Sequence, residues 1–136
     1  MKYLNHVLIF AIAFIVSCTN SREKSESFSK KYGDALVCDN PRYNIGEVSK
    51  SKQDNAKFIF KITNNSNKTI NISDVDVTCG CIYVAEYKNV ITPQNSFVLK
   101  GFIDLRKQYG HISKPIFVKY NNDNVLLIRV VGDITN

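Results

Sequence analysis

The sequence predicts an all-β domain, an immunoglobulin-like β-sandwich of about seven strands preceded by a signal peptide and a flexible tether. Three observations carry that expectation. From residue 43 onward, short apolar–polar alternations of period two recur with turn residues between them. Across that region no stretch sustains the i, i+3, i+4 apolar spacing of an amphipathic helix. The region is also the size of one sandwich domain, and strand count and size favour a sandwich over a barrel.

The N-terminus sets the address. Lys2 gives a positive start, and Val7 to Val16 is an unbroken run of ten uncharged apolar residues. At about 1.5 Å per helical residue this run reaches roughly 15 Å, half of a bilayer core. That length suits the apolar region of a signal peptide and is short for a membrane-spanning helix. The run ends at Ser17-Cys18, and Phe14-Ile15-Val16-Ser17-Cys18 resembles the lipobox of bacterial lipoproteins. It lacks the Leu usual three residues before the cysteine and keeps the small residue directly before it. The resemblance implies cleavage after Ser17 and a diacylglycerol on Cys18. Each buried methylene of such an anchor contributes about 0.8 kcal/mol, so two or three acyl chains hold firmly. Thr19 to Lys31 is rich in Ser and charge and almost free of apolar residues, the composition of a tether that cannot offset its own ordering entropy. The expected organisation is a signal peptide over 1–17, lipidated Cys18 and tether over 18–40, and the sandwich over 41–136.

The strands follow in order. Tyr43–Val48 opens the domain, and Ala56–Thr63 places Phe58, Phe60 and Ile62 on one face. Asn64–Lys68 is a turn by composition. Thr69–Val77 alternates, but its phase slips at Ser73-Asp74, which predicts a bulge or bend. Ile82–Ala85, Phe97–Leu105, Ile116–Tyr120 and Val125–Val131 complete the set. Pro93, Asn95 and Gly110 interrupt the joins, and Asn121–Asn124 reads as a tight hairpin connection. The glycosylation-type triplets at Asn64, Asn67 and Asn71 are read as turn and strand-edge asparagines.

The chain carries a net charge of +6, about +5 once Lys2 is removed. From Lys50 to Arg129 its basic residues are scattered without a run or an aromatic-interleaved patch, which excludes nucleic acid as the expected partner.

Several features fall in a recognisable order. Phe58-x-Phe60-x-x-x-Asn64 ends a strand, an apolar alternation follows, then Val77-Thr78-Cys79-Gly80-Cys81 and Ile91-Thr92-Pro93. Tyr109-Gly110 precedes a strand, Asn121 follows one, and Gly132 lies near the end. Over residues 43 to 134 this order is similar to the domain of unknown function 1573 family, exported bacterial proteins with a Hydin-like immunoglobulin fold. The family's usual Pro-Gly is Pro93-Gln94 here. The resemblance implies a fold and no activity.

The cysteines carry the remaining chemistry. With Cys18 assigned to lipid, Cys38, Cys79 and Cys81 remain, an odd number, so at least one is free or paired between molecules. A bridge between Cys79 and Cys81 would close a very small ring, although Gly80 relaxes the backbone there. Cys38 bridged to Cys79 or Cys81, or three buried thiols, are the other arrangements. Cys38, Cys79, Cys81 and His111 formally supply four zinc ligands, but without a metal-ligand spacing, and His111 reads as a loop residue. A Cys-x-x-Cys type of redox pair wants a helix N-terminus, and none is expected.

Other chemistries lack their parts. The chain after Cys18 has one histidine and no Gly-x-Ser-x-Gly elbow. Asp74 and Asp76 share a strand face near Asn71, without the ligand-rich loop that calcium requires. Tyr83, Tyr87, Tyr109 and Tyr120 are the only motive for a glycan site and read as core and rim residues. The expected function is a non-enzymatic binding or scaffold module of the bacterial cell envelope, held to the membrane by its lipid, with a protein partner and no cofactor or metal. The alternative is a thiol-redox or metal-binding protein built on Cys79 and Cys81.

Overall fold

The computed structural model describes residues 35–136. The expected signal peptide, the lipid on Cys18 and most of the tether lie outside them. Nine strands and no helix occur among the described residues: β1 Leu36–Cys38, β2 Arg42–Ser49, β3 Asn55–Asn64, β4 Ile70–Val77, β5 Ile82–Val84, β6 Val90–Ile91, β7 Ser96–Asp104, β8 Gly110–Tyr120 and β9 Asn124–Thr135. They form a four-stranded sheet in the order β1-β3-β7-β5 and a five-stranded sheet in the order β2-β9-β8-β4-β6. All pairings are antiparallel except β2 with β9. The all-β sandwich is the architecture that the alternation predicts.

The core follows from that alternation. On β3, Ala56, Phe58, Phe60 and Ile62 are buried while Lys57, Ile59 and Lys61 face solvent. On β7, Phe97, Leu99 and Ile103 point inward against them, in the register Phe60 to Leu99 and Ile62 to Phe97. The second sheet contributes Ile70, Ile116, Val118, Tyr120, Ile128 and Val130, all fully buried. Burying a side chain of this size stabilises the fold by about 1.5–3 kcal/mol. Phe58 lies opposite Gly101. A Cβ at Gly101 would collide with the Phe58 ring and the Tyr83 carbonyl, so the missing side chain is what lets the ring lie flat on β7.

Turn chemistry locks the joins. The phase slip at Ser73-Asp74 is a register shift between Ile72 and Asp74 against β8. At the β8–β9 hairpin Asn121 and Asn122 both adopt left-handed backbone, which Asn tolerates better than other non-Gly residues. Gln94 has φ 58° in the turn where Asn95 N–H donates to the Thr92 carbonyl at 3.2 Å. That conformation favours glycine and accounts physically for the Pro-Gly that this chain replaces by Pro93-Gln94.

Two expectations are corrected. The sandwich begins at Leu36, because Leu36 and Cys38 are buried on β1 and pair with Asn64 and Ile62; three residues are too few for a visible alternation. His111 is not in a loop but on β8, opposite Asp133, because β8 and β9 pair as far as Gly110 and Ile134. The two-residue β6 likewise has no signature in the sequence.

Candidate functional site

The chain between β4 and β5 carries Thr78-Cys79-Gly80-Cys81, and there Cys79 and Cys81 form a disulfide. The turn is closed by the Ile82 N–H donating to the Cys79 carbonyl at 3.2 Å, and Cys81 is tied to β7 through the Asp104 N–H on its carbonyl at 2.8 Å. Gly80 sits at the exposed apex, where an added Cβ would meet nothing within 4 Å. The small ring that weighed against this pairing is accommodated because the chain turns here rather than running as a flat strand.

Cys38 does not join either sulfur. Cys38 and Cys81 lie at opposite edges of one sheet, with β3 and β7 between them. Three strand spacings of about 4.8 Å separate them, far beyond the Cα separation a disulfide spans. Cys38 is a buried free thiol, and desolvation holds its pKa above the usual thiol range. His111 does not line the cleft beside the disulfide, and its Nδ1 lies 3.0 Å from Asp133 Oδ1. Among the described residues no three His, Cys, Asp or Glu side chains gather as metal ligands.

The disulfide opens on a cleft of about 630 Å³ lined by Tyr83, Asp104, Arg106, Lys107, Gln108 and Lys114. Arg106 Nε donates to Asp104 Oδ1 at 3.0 Å and to Oδ2 at 3.1 Å. The guanidinium lowers the Asp104 pKa to about 2. That pair neutralises itself, so Lys107 and Lys114 leave the cleft positive. One further contact bears on the sulfurs: the Cys81 N–H donates to Cys79 Sγ at 3.2 Å.

The other candidates disperse. Asp74 and Asp76 both face Lys119, which pairs with Asp76 and lies 3.9 Å from Asp74 Oδ2. Lys119 lowers the Asp76 pKa, so the carboxylates have a cation of their own. Tyr120 is buried, Tyr87 is half-buried, Tyr109 is exposed with Lys50 Nζ 3.9 Å from its ring centroid, and Tyr83 stacks on Phe102 at 4.7 Å. The four tyrosines form no common platform.

A second feature is invisible in the sequence. β5 pairs with only Gly101 to Ile103 of β7, and the Ala85 N–H reaches the Lys100 carbonyl. From Ser96 to Leu99, β7 has β3 on one side and, among the described residues, no strand on the other. This notch is a hollow of about 450 Å³ lined by Glu86, Tyr87, Lys88, Ser96, Phe97 and Val98. Val98, which lines it, and Phe102, Tyr83 and Ile59 elsewhere on the outer face of the same sheet are exposed apolar side chains. Sequence reasoning had no signal for Arg106, Lys107, Lys114 or the notch, since strand order alone brings them together.

Comparison with known proteins agrees with the fold. A protein of unknown function from Porphyromonas gingivalis W83 superposes with a TM-score of 0.62 at 14% identity, over 73% of this chain and 46% of that one. The Vibrio cholerae VesB protease gives 0.60 at 14% identity, over 79% of this chain and 34% of that one. The YadV chaperone gives 0.52 at 10% identity, over 75% and 53%. The chain thus spans about half or less of these structures, and at such identities the likeness is one of fold. No curated protein matches the sequence. The family model described as protein of unknown function DUF1573 matches residues 36–134, and the chain belongs to that family.

Proposed function

We propose that this protein is a non-enzymatic binding module, displayed at the bacterial cell envelope by the lipid on Cys18, that captures an extended peptide segment of another envelope protein. The observation that supports this reading is the stretch of β7 from Ser96 to Leu99, which no strand among the described residues pairs on its outer side and which faces a hollow shared with Glu86, Tyr87 and Lys88. Unpaired strand backbone is a template for another strand, and natural sheets usually shorten, charge or cover it. This stretch lies beyond the Val84 end of β5, in the lane that β5 itself occupies along β7, and Val98 on it is 43% exposed. A peptide added along this edge gains main-chain hydrogen bonds and places alternate side chains on the apolar surface of Val98 and Phe102.

The test uses the full chain in detergent with a seven-residue peptide alternating valine with serine and ending in glutamates. The expected result is slowed amide exchange at Ser96 to Leu99. A proline at the peptide's centre removes the effect. Protection confined to other strands, or none, overturns the reading.

A further inference from the structure

We infer that the Cys79–Cys81 disulfide is a thiol-exchange site that accepts electrons from a cysteine pair in an acidic peptide. The inference goes beyond the peptide-capture reading: the disulfide lies at the Ile82 end of β5, and the unpaired stretch of β7 lies beyond its Val84 end.

Three observations support it. The bridge spans three residues, so it constrains little of the unfolded chain and is poorly explained as a structural staple. Its apex, Gly80, is exposed and unobstructed, and the half-buried Cys79 and Cys81 line an open cleft. The cleft carries Lys107 and Lys114, whose charges attract an anionic partner and favour thiolate over thiol.

The hydrogen bonding distinguishes the two sulfurs. Among the described residues, Cys79 Sγ receives a backbone N–H, from Cys81, and Cys81 Sγ receives none. A donor at that sulfur stabilises negative charge there, which makes Cys79 the leaving group and Cys81 Sγ the atom attacked. In the first step a peptide thiolate forms a bond to Cys81 Sγ. The Cys79–Cys81 bond breaks, and its electron pair remains on Cys79 Sγ. In the second step the other peptide thiolate attacks the peptide sulfur of the mixed disulfide and expels Cys81 as thiolate. The peptide leaves as a disulfide, having given up two electrons and two protons, and Cys79 and Cys81 hold them as a dithiol. Buried Cys38 takes no part.

The test mixes the oxidised full chain with a reduced peptide carrying two cysteines flanked by glutamates, and with the same peptide flanked by lysines. Rapid alkylation and mass spectrometry follow. The acidic peptide is expected to react about tenfold faster, with the advantage lost in Lys107→Gln/Lys114→Gln. The trapped species should carry the peptide on Cys81 and the alkyl group on Cys79. Equal rates for the two peptides, or the peptide on Cys79, overturn the assignment. Faster reaction with the small anionic thiol 2-mercaptoethanesulfonate overturns it in favour of a free thiol as substrate. The serine form of the acidic peptide separates the two readings. If it protects Ser96 to Leu99 while the cysteine form stays reduced, exchange fails and capture stands. If it gives no protection while exchange proceeds as above, capture fails and exchange stands.

Discussion

Asn64 shows how one residue can be turn, core and cross-sheet tie together. It is fully buried, with Nδ2 donating to the Lys68 carbonyl at 2.8 Å and the Ile91 carbonyl at 3.0 Å. Its Oδ1 accepts from the Ser66 N–H at 3.0 Å and the Ser66 hydroxyl at 2.7 Å. Asn64→Ala strands both carbonyls and should cost about 2–4 kcal/mol in denaturant unfolding. A glycosylation-type triplet is thus a structural joint. Asp104 offers a test in pH. Its carboxyl titrates near 4 when unfolded and at about 2 beside Arg106. The pair therefore stabilises the fold above pH 4, and that contribution fades as pH falls from about 4 through 2. Side-chain carboxyl NMR should find the Asp104 midpoint at about 2, and Arg106→Gln should raise it toward the ordinary range.

At the scale of elements, β1 and the β4–β5 turn divide the cysteine chemistry. β1 adds one three-residue rung to the edge of the first sheet, and Leu36 and Cys38 bury while Val37 stays exposed. A thiolate at Cys38 would lose hydration, so burial raises its pKa and quenches its reactivity. Native protein should therefore show no fast-reacting thiol to a disulfide reagent, with Cys38 labelled only on unfolding. Prompt labelling would mean that β1 detaches. The long strands were legible because each has enough residues to show its period: β3 alternates without interruption from Asn55 to Ile62. β1 and β6 were not legible, because two or three residues display no period and neighbours in space hold them in place.

Across the whole molecule, stability comes from the apolar layer between the sheets rather than from the disulfide. Loop closure over three residues is worth about 1.6 kcal/mol, against about 3 for a fifteen-residue loop. The double variant Cys79→Ser/Cys81→Ser should accordingly unfold within about 2 kcal/mol of the parent and retain its strand content by circular dichroism. Loss of the fold would make the bridge a staple.

The identity of the long strands, their inward-facing positions and the bulge after Ile72 could be read from the chain, because each depends on residues that are neighbours in sequence. The partner of each cysteine, the positive cleft around Lys107 and Lys114, and the bare half of β7 could not. The order β1-β3-β7-β5 puts Cys38 and Cys81 at opposite edges and lets a three-residue β5 leave Ser96 to Leu99 without a strand partner on that side among the described residues, and the cleft forms where Lys114 of β8 in the other sheet meets the β4–β5 and β7–β8 connections. Sheet order is set by which apolar faces bury best against one another, a long-range choice that no local period records.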